Sequence, residues 1–194
     1  MVGVAIFHEG SSKKTADNEL LNLLITNLNL DNNKIRFIGI GGKSNFFNLD
    51  NKNYSTIKMA VRREEINKIL FVIDADYEKN DEKYGGYDNT ETELKKIIHE
   101  LELQDCSDIY ITCDPQTKDG YLESLILSTI PEKQKSCIEN FLNCSDFKSK
   151  ENHKAILNQV YKTAYPQAPF DFSHQNLDEL KQKLTTLFSM DKHS

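Results

Sequence analysis

The chain has 194 residues, about one domain plus an extension at roughly 100–200 residues per domain. Charged residues make up 28% and hydrophobic residues 38%, the mix of a polar-surfaced globular protein with enough apolar sequence for one substantial core. The formal charge is 24 − 30 = −6, which argues against a broad basic surface for gripping nucleic acid but not against an acidic site whose sign a bound cation would reverse.

Val2–Phe7 reads as the first strand. Asp17 is placed to cap a helix whose Leu20, Leu23, Leu24 and Leu28 share one face. Lys34–Ile40 reads as the second strand, ended by Gly41-Gly42, and Tyr54–Ile66 as a helix with a weak apolar face. Lys68–Ile73 is the third strand. The polar segment Glu78–Asn89, with Gly85-Gly86 at its centre, reads as a mobile loop. Thr90-Glu91-Thr92-Glu93 fits a capping box ahead of a helix carrying Leu94, Ile97, Ile98 and Leu101. Asp108–Cys113 is the fourth strand and Leu122–Ile130 turns helical. This order favours a parallel sheet of about four strands with helices on both faces. From Pro131 no strong strand signal appears. One helix is expected around Cys137, Ile138, Phe141 and Leu142, and another around Ala155, Ile156, Val160 and Tyr161. After the Tyr165-Pro166-Gln167-Ala168-Pro169 breaker, Asn176 would cap a last helix with Leu177, Leu180, Leu184, Leu187 and Phe188 inward. Residues 131–194 thus read as a helical extension packed on an α/β domain of residues 1–130.

No apolar stretch has the length that spans a bilayer, and Met1-Val2-Gly3-Val4 lacks the charged start of a signal peptide. A cytoplasmic protein without membrane contact is expected. Cys106, Cys113, Cys137 and Cys144 form no Cys-x-x-Cys pair and precede no His pair at zinc-finger spacing, so reduced thiols are expected.

The chemistry lies at strand ends. Val4-Ala5-Ile6-Phe7-His8-Glu9-Gly10 and Ile69-Leu70-Phe71-Val72-Ile73-Asp74-Ala75-Asp76 both stop at carboxylates. Ligands of parallel sheets bind at the carboxyl ends of the strands. Glu9, Asp74 and Asp76 there would cage a hard cation such as Mg²⁺ or Mn²⁺, with Asp114, Asp119 or Glu123 completing the set. The competing explanation is that Asp follows strands because it opens turns and caps helices. His8 should point away from Glu9 in a regular strand and reads as a packing residue. Gly39-Ile40-Gly41-Gly42-Lys43-Ser44 is neither a P-loop, since Phe37 stands where a Gly is needed, nor a dinucleotide fingerprint, since Ser44 replaces its third Gly. It is either a phosphate-contacting turn through Gly41, Gly42 and Lys43 or a tight strand-to-helix turn. Lys13-Lys14 is the better-placed phosphate contact, whereas Arg62-Arg63 reads as a solvated helix face.

Glu9-Gly10 after the first strand and Asp74-Ala75-Asp76 after the third resemble the Toprim family, the catalytic domain shared by bacterial primases, topoisomerases and nucleases of the overcoming-lysogenization-defect type. The resemblance covers about the first 130 residues. With Gly41-Gly42-Lys43 and Gly120-Tyr121-Leu122-Glu123, it looks closest to small stand-alone bacterial Toprim-like proteins. The resemblance implies a Toprim-like sheet, Glu9 as general acid or base and metal ligand, Asp74 and Asp76 holding Mg²⁺, and Glu123 as a second-metal ligand. The chain departs from the pattern in its longer Ser11–Ala16 segment, and the acid that usually follows Glu-Gly closely is delayed to Asp17. No companion primase, ATPase or strand-passage module is visible. The expected activity is Mg²⁺-dependent phosphodiester cleavage or a related phosphotransfer on nucleic acid. The alternative is a non-catalytic Toprim-shaped module that regulates a protein partner in nucleic-acid metabolism or phage defence. A receiver-like phosphoacceptor needs an acidic pair after the first strand, and His8-Glu9 is a poor substitute.

Overall fold

The structure is a computed structural model that describes residues 3–11, 15–145, 150–165 and 170–189. Its apolar runs pair as β1 (Gly3–His8), β2 (Ile35–Gly39), β3 (Ile66–Asp74) and β4 (Ser107–Thr112). All neighbours are parallel, in the order β2-β1-β3-β4. The chain steps from β1 to β2 on one side, then returns past β1 to lay down β3 and β4 on the other. The order therefore reverses between β1 and β3.

Period-two alternation gives each strand two apolar faces. Val4, Ile6, Leu70 and Val72 face one core, and Ala5, Phe7, Ile69, Phe71 and Ile73 the other. The second core is closed by α3 (Lys52–Arg62) and α4 (Tyr87–Glu100), through Tyr54, Ile57, Leu94, Ile97 and Ile98. The short α2 (Lys43–Phe46) adds Phe46 to that layer. The first core is closed by α1 (Ala16–Asn27), α5 (Leu122–Leu127), α7 (Lys150–Ala164) and α8 (Asp178–Phe188), with α6 (Glu132–Cys144) contributing Leu142. Helices on both faces of a four-stranded parallel sheet, plus a C-terminal helical extension, match the sequence expectation.

The extension shares the first core rather than sitting beside it. Leu142, Leu157, Tyr161, Leu180, Leu184 and Leu187 belong to one buried cluster with Val4, Ile6 and Leu70. The helix around residue 156 is rotated from its expected setting: Leu157 and Tyr161 are buried, Ala155 is exposed, and Ile156 and Val160 are only half-buried. That rotation turns Lys154 and Asn158 toward the sheet.

Several boundaries moved for local reasons. Helix α4 starts at Tyr87, so Thr90 is a fully buried internal residue rather than a cap. Ile66 opens β3 instead of closing the preceding helix. Asn51 caps α3 by accepting from the Asn53 N–H at 3.0 Å. Asp17 lies inside the first turn of α1 after Thr15, and Asn176 uses its amide on Ser128 instead of capping. The 78–89 loop is tightly tied. Asp81 Oδ1 accepts from the Lys83 and Tyr84 N–H groups at 3.1 and 3.0 Å, and Tyr84 stacks on Phe47 at 4.4 Å. Gly85 is required where it packs, since a Cβ there would lie 2.5 Å from Asp81 O and 2.6 Å from Tyr77 O. Val2, at the start of the predicted first strand, and residues 166–169 of the breaker lie outside the described residues. Among the described residues, no helix is long and apolar enough to cross a membrane.

Because the extension and the sheet share one core, truncating Leu184, which is fully buried, should weaken both together. Leu184→Ala is expected to lower stability by about 2–5 kcal/mol, as one shifted transition in urea monitored by circular dichroism. An early separate transition that leaves the sheet folded would contradict a shared core.

Candidate functional site

The carboxyl ends of β1 and β3 lie where the strand order reverses, the place where open α/β sheets bind ligands. Glu9 follows β1 directly. Its carbonyl accepts the Gly41 and Gly42 N–H groups at 3.1 and 2.9 Å, and its Oε2 lies 3.4 Å from the Asp74 N–H. The glycine turn is thus wrapped onto the end of β1. Gly41 and Gly42 hold φ of +83° and +122°, which side chains rarely adopt. Asp74, the last residue of β3, is buried. Its Oδ1 accepts the Leu122 N–H at 3.1 Å and its Oδ2 the Lys154 ammonium at 2.7 Å. Glu123, next along α5, is 4% exposed. Its Oε1 accepts from the Asn158 amide, while its Oε2 is buried without a hydrogen-bond partner among the described residues. Lys154 and Asn158, four apart on α7, therefore place an amine and an amide on one face into this acidic end.

Asp17, in the first turn of α1, completes the cluster. Burial, reinforced by the charges of Asp74 and Glu123, pushes its carboxyl up to about 7, against the opposing pull of Lys154 and the Gly10 N–H. Glu123 is also raised, by burial and then by Asp74, with Lys154 opposing. Burial works against the Lys154 ammonium, but Asp74, Glu123 and Glu9 outweigh it and hold its proton above lysine's ordinary range. The charges of Asp74, Glu123 and Glu9 thus act on the Lys154 ammonium, and those of Asp74 and Glu123 on the Asp17 carboxyl.

The Asp-x-Asp pair does not act as one unit. β3 stops at Asp74, and Asp76 turns into the left-handed region at φ +59°. Its N–H donates to Gly120 O at 2.6 Å and its carbonyl accepts the Gly120 N–H at 3.1 Å. Its Oδ2 then lies 3.7 Å from Lys43 Nζ. Lys43 is itself buried and donates to Asp74 O, Ala75 O and Thr90 Oγ1 at 2.9, 2.6 and 2.8 Å. Burial lowers its pKa, against the pull of Asp76, Glu9 and Asp74. The expected phosphate contacts through Gly41, Gly42 and Lys43 are therefore replaced by protein acceptors: the turn shapes the site from beneath. Lys13 lies outside the described residues.

The remaining candidates resolve similarly. Asp114, after β4, is buried and bonded to Lys135 of α6 at 2.5 Å. The Asp119 carbonyl accepts the Asp114 N–H at 2.9 Å, shaping the loop before α5. His8 is 1% exposed, its Nδ1 has no partner among the described residues, and burial lowers its pKa. Arg62 is an exposed helix residue near Glu102, as expected.

The donors of the cluster are carboxylate oxygens, the chemistry that suits Mg²⁺ or Mn²⁺, and the orphaned Glu123 Oε2 is one such donor. Their arrangement is another matter. Among the described residues, no three Asp, Glu, His or Cys side chains converge to hold a metal ion. Lys154 engages Asp74, and Lys43 faces Asp76. A cation entering the cluster has to displace the Lys154 ammonium.

Lys154, Asn158 and Lys135 were not anticipated as site residues. The available signal was the flanking of buried Leu157 and Tyr161 by polar residues at helical spacing, which marks a polar end to an inward face. Compared with known proteins, the chain matches no family model, no curated protein and no solved structure.

The raised Asp17 carboxyl has a sign-definite consequence. Its ordinary value is 3.8, and the folded value is about 7. The stability linked to its proton is full below about pH 4 and is lost as pH rises through about 7. Asp17→Asn is expected to remove that loss, so the melting temperature of wild type should fall more steeply than that of the variant between these pH values. Parallel pH profiles would contradict the crowding of acids described above.

Proposed function

We propose that this acid cluster is a divalent-cation site serving phosphodiester cleavage, or a related phosphotransfer, on nucleic acid in a Toprim-like protein of the cytoplasm. The observation that carries the reading is the buried Asp74 carboxylate at the point of strand-order reversal, bonded to Lys154, with Glu9 against its N–H and the charges of Asp17 and Glu123 acting on the same pair. Among the described residues the carboxylates do not converge on one point with Lys154 in place; Glu9, Asp17, Asp74 and Glu123 would hold Mg²⁺ or Mn²⁺ once Lys154 yields and they draw together. The ion, when bound, supplies Lewis-acid polarisation of a phosphoryl oxygen and a more acidic water. Glu9, at the half-buried edge of the cluster, is the group suited to moving a proton. Lys43 holds the end of β3 through Asp74 O and Ala75 O, so it keeps the acids in register rather than touching substrate. Asp76 supports the same end through its pairing with Lys43 and Gly120.

A second reading has its own observation. The Lys154–Asp74 and Lys43–Asp76 pairs already offset the charge of the strand-end acids. On that reading the chain is a binding or regulatory module that keeps a Toprim-like shape, and lysines hold its acidic end shut against metal while a protein partner docks elsewhere.

Incubation of end-labelled single- and double-stranded DNA and RNA with Mg²⁺ or Mn²⁺ separates the two. The cation-site reading expects cleavage that falls by about 100-fold or more in Glu9→Gln and Asp74→Asn. It also expects a melting temperature that rises with Mn²⁺ in wild type and rises further in Lys154→Met, where the competing ammonium is gone. No metal-dependent rise in either protein, with no cleavage, would leave the binding-module reading in its place.

A further inference from the structure

A groove of about 520 Å³ lies beside the acid cluster, between the loop after β3, the loop before α5, and helices α6 and α7. The two sites meet at one aromatic ring. Lys154 Nζ, the group bonded to Asp74, lies 4.6 Å from the centre of the Tyr121 ring, and Tyr121 also lines the groove. Tyr77 stands edge-on to it, with ring centres 5.8 Å apart and an interplanar angle of 84°. The floor is apolar, formed by Leu127, Leu142 and Leu157, whereas Lys79, Ser124 and Asn143 bring polar groups to the walls. The Lys135–Asp114 pair also lines the groove, Asp114 from the segment after β4.

This combination is specific in its chemistry. A volume of this order is that of a small-molecule site, and an apolar floor with a few polar groups fixes orientation. An aromatic wall accepts any base, because every base has a π-face. Lys79 and Lys135 share the walls with Asp114, Asp119 and Glu139, and Lys135 is bonded to Asp114, so the walls are mixed in charge and recognition falls to the apolar floor and the tyrosines. A peptide docked by strand addition would need an open strand edge, and the groove is lined by loops and helices. We propose that the groove is a nucleoside subsite: it takes the base and sugar of one nucleotide unit, the base against Tyr77 and beside the buried Tyr121 that stands edge-on to it, and leaves that unit's phosphate at the Tyr121 end, toward Lys154. This rests on the phosphodiester reading of the cluster and adds to it the substrate class, a nucleotide unit recognised by its nucleoside.

Isothermal titration of the full chain with AMP, GMP, CMP and UMP, and separately with adenosine and with inorganic phosphate, tests the subsite in EDTA, where no turnover occurs. At least one nucleoside monophosphate is expected to bind more tightly than inorganic phosphate, because the base supplies the stacking and, without a cation, the acids oppose the phosphate. Tyr77→Ala, which removes a wall, and Asn143→Trp, which fills the groove from an exposed position on α6, should each weaken binding by about tenfold. Circular dichroism melts would check that both variants fold; Asn143→Trp, at an exposed site, guards against a Tyr77→Ala that does not. No binding of any of the four monophosphates at millimolar concentration, or binding untouched by both variants, would overturn the subsite. The outcome is separable from the fate of the cleavage reading. Nucleotide binding that needs the groove, without metal-dependent cleavage, supports the subsite and removes only the enzyme. Cleavage that depends on Asp74 but ignores both groove variants, with no monophosphate bound, keeps the enzyme and removes the subsite.

Discussion

At one end of the sheet the charges of Asp74, Glu123 and Asp17 act on one another, and the Lys154 ammonium, bonded to Asp74, offsets them. Two unit charges 4 Å apart in a setting of effective dielectric 20 interact by about 4 kcal/mol, so unrelieved crowding would push these segments apart. Burial first, and then the charges of Asp74 and Glu123, drive the Asp17 carboxyl up to about 7. Lys154 relieves the repulsion, bonded to Asp74 at 2.7 Å while its charge acts on Glu123 and Asp17. Removing one partner of a buried pair costs about 3–5 kcal/mol, mainly because the other is left uncompensated. With Asp74 buried and Lys154 only partly exposed, this contact falls near that regime.

The same device recurs along the carboxyl ends of the strands. Asp74 meets Lys154 from α7, Asp114 meets Lys135 from α6, and Asp76 meets Lys43 from the glycine turn. Two of the three lysines come from the C-terminal extension. Apolar burial alone would allow the extension's helices some freedom to slide and rotate over the sheet, since the hydrophobic effect is non-directional. The ion pairs fix their rotation, and the setting of α7 shows it: Lys154 and Asn158 face the acids at the expense of burying Ile156 and Val160. Any movement of α7 away from the sheet therefore also uncovers the carboxylates.

Much of the fold was legible in the sequence because parallel strands announce themselves as apolar runs. The four strands, the alternation with helices and the helical tail follow from such runs in Val4–Phe7, Ile35–Ile38, Ile69–Ile73 and Ile109–Ile111. Acids at strand ends were equally visible: Glu9 Oε2 lies against the Asp74 N–H, and Asp74 accepts the Leu122 N–H next to Glu123. Partnership was not visible. Asp74 and Lys154 are 80 positions apart, and nothing local in either segment announces the other. Asp76 parts from Asp74 because the chain enters a left-handed turn bridged to Gly120, a tertiary event that an Asp-x-Asp spacing cannot report. Lys43 looked like a phosphate ligand because it follows two glycines, yet Thr90, nearly fifty residues on, is one of the acceptors that bury it.

The groove beside the cluster and the cluster itself share Tyr121, so the acidic end and the space next to it form one working surface at the switch point of the sheet. Whether that surface is a cation site depends on Lys154 giving way. Crystals of wild type and of Lys154→Met soaked in Mn²⁺, with anomalous scattering recorded at the manganese edge, address this most directly. The expected result is an anomalous peak among Glu9, Asp17, Asp74 and Glu123, stronger in the variant, with the wild-type Lys154 side chain moved off Asp74. No peak at millimolar Mn²⁺ in either crystal, with Lys154 still bonded to Asp74 in wild type, would contradict it.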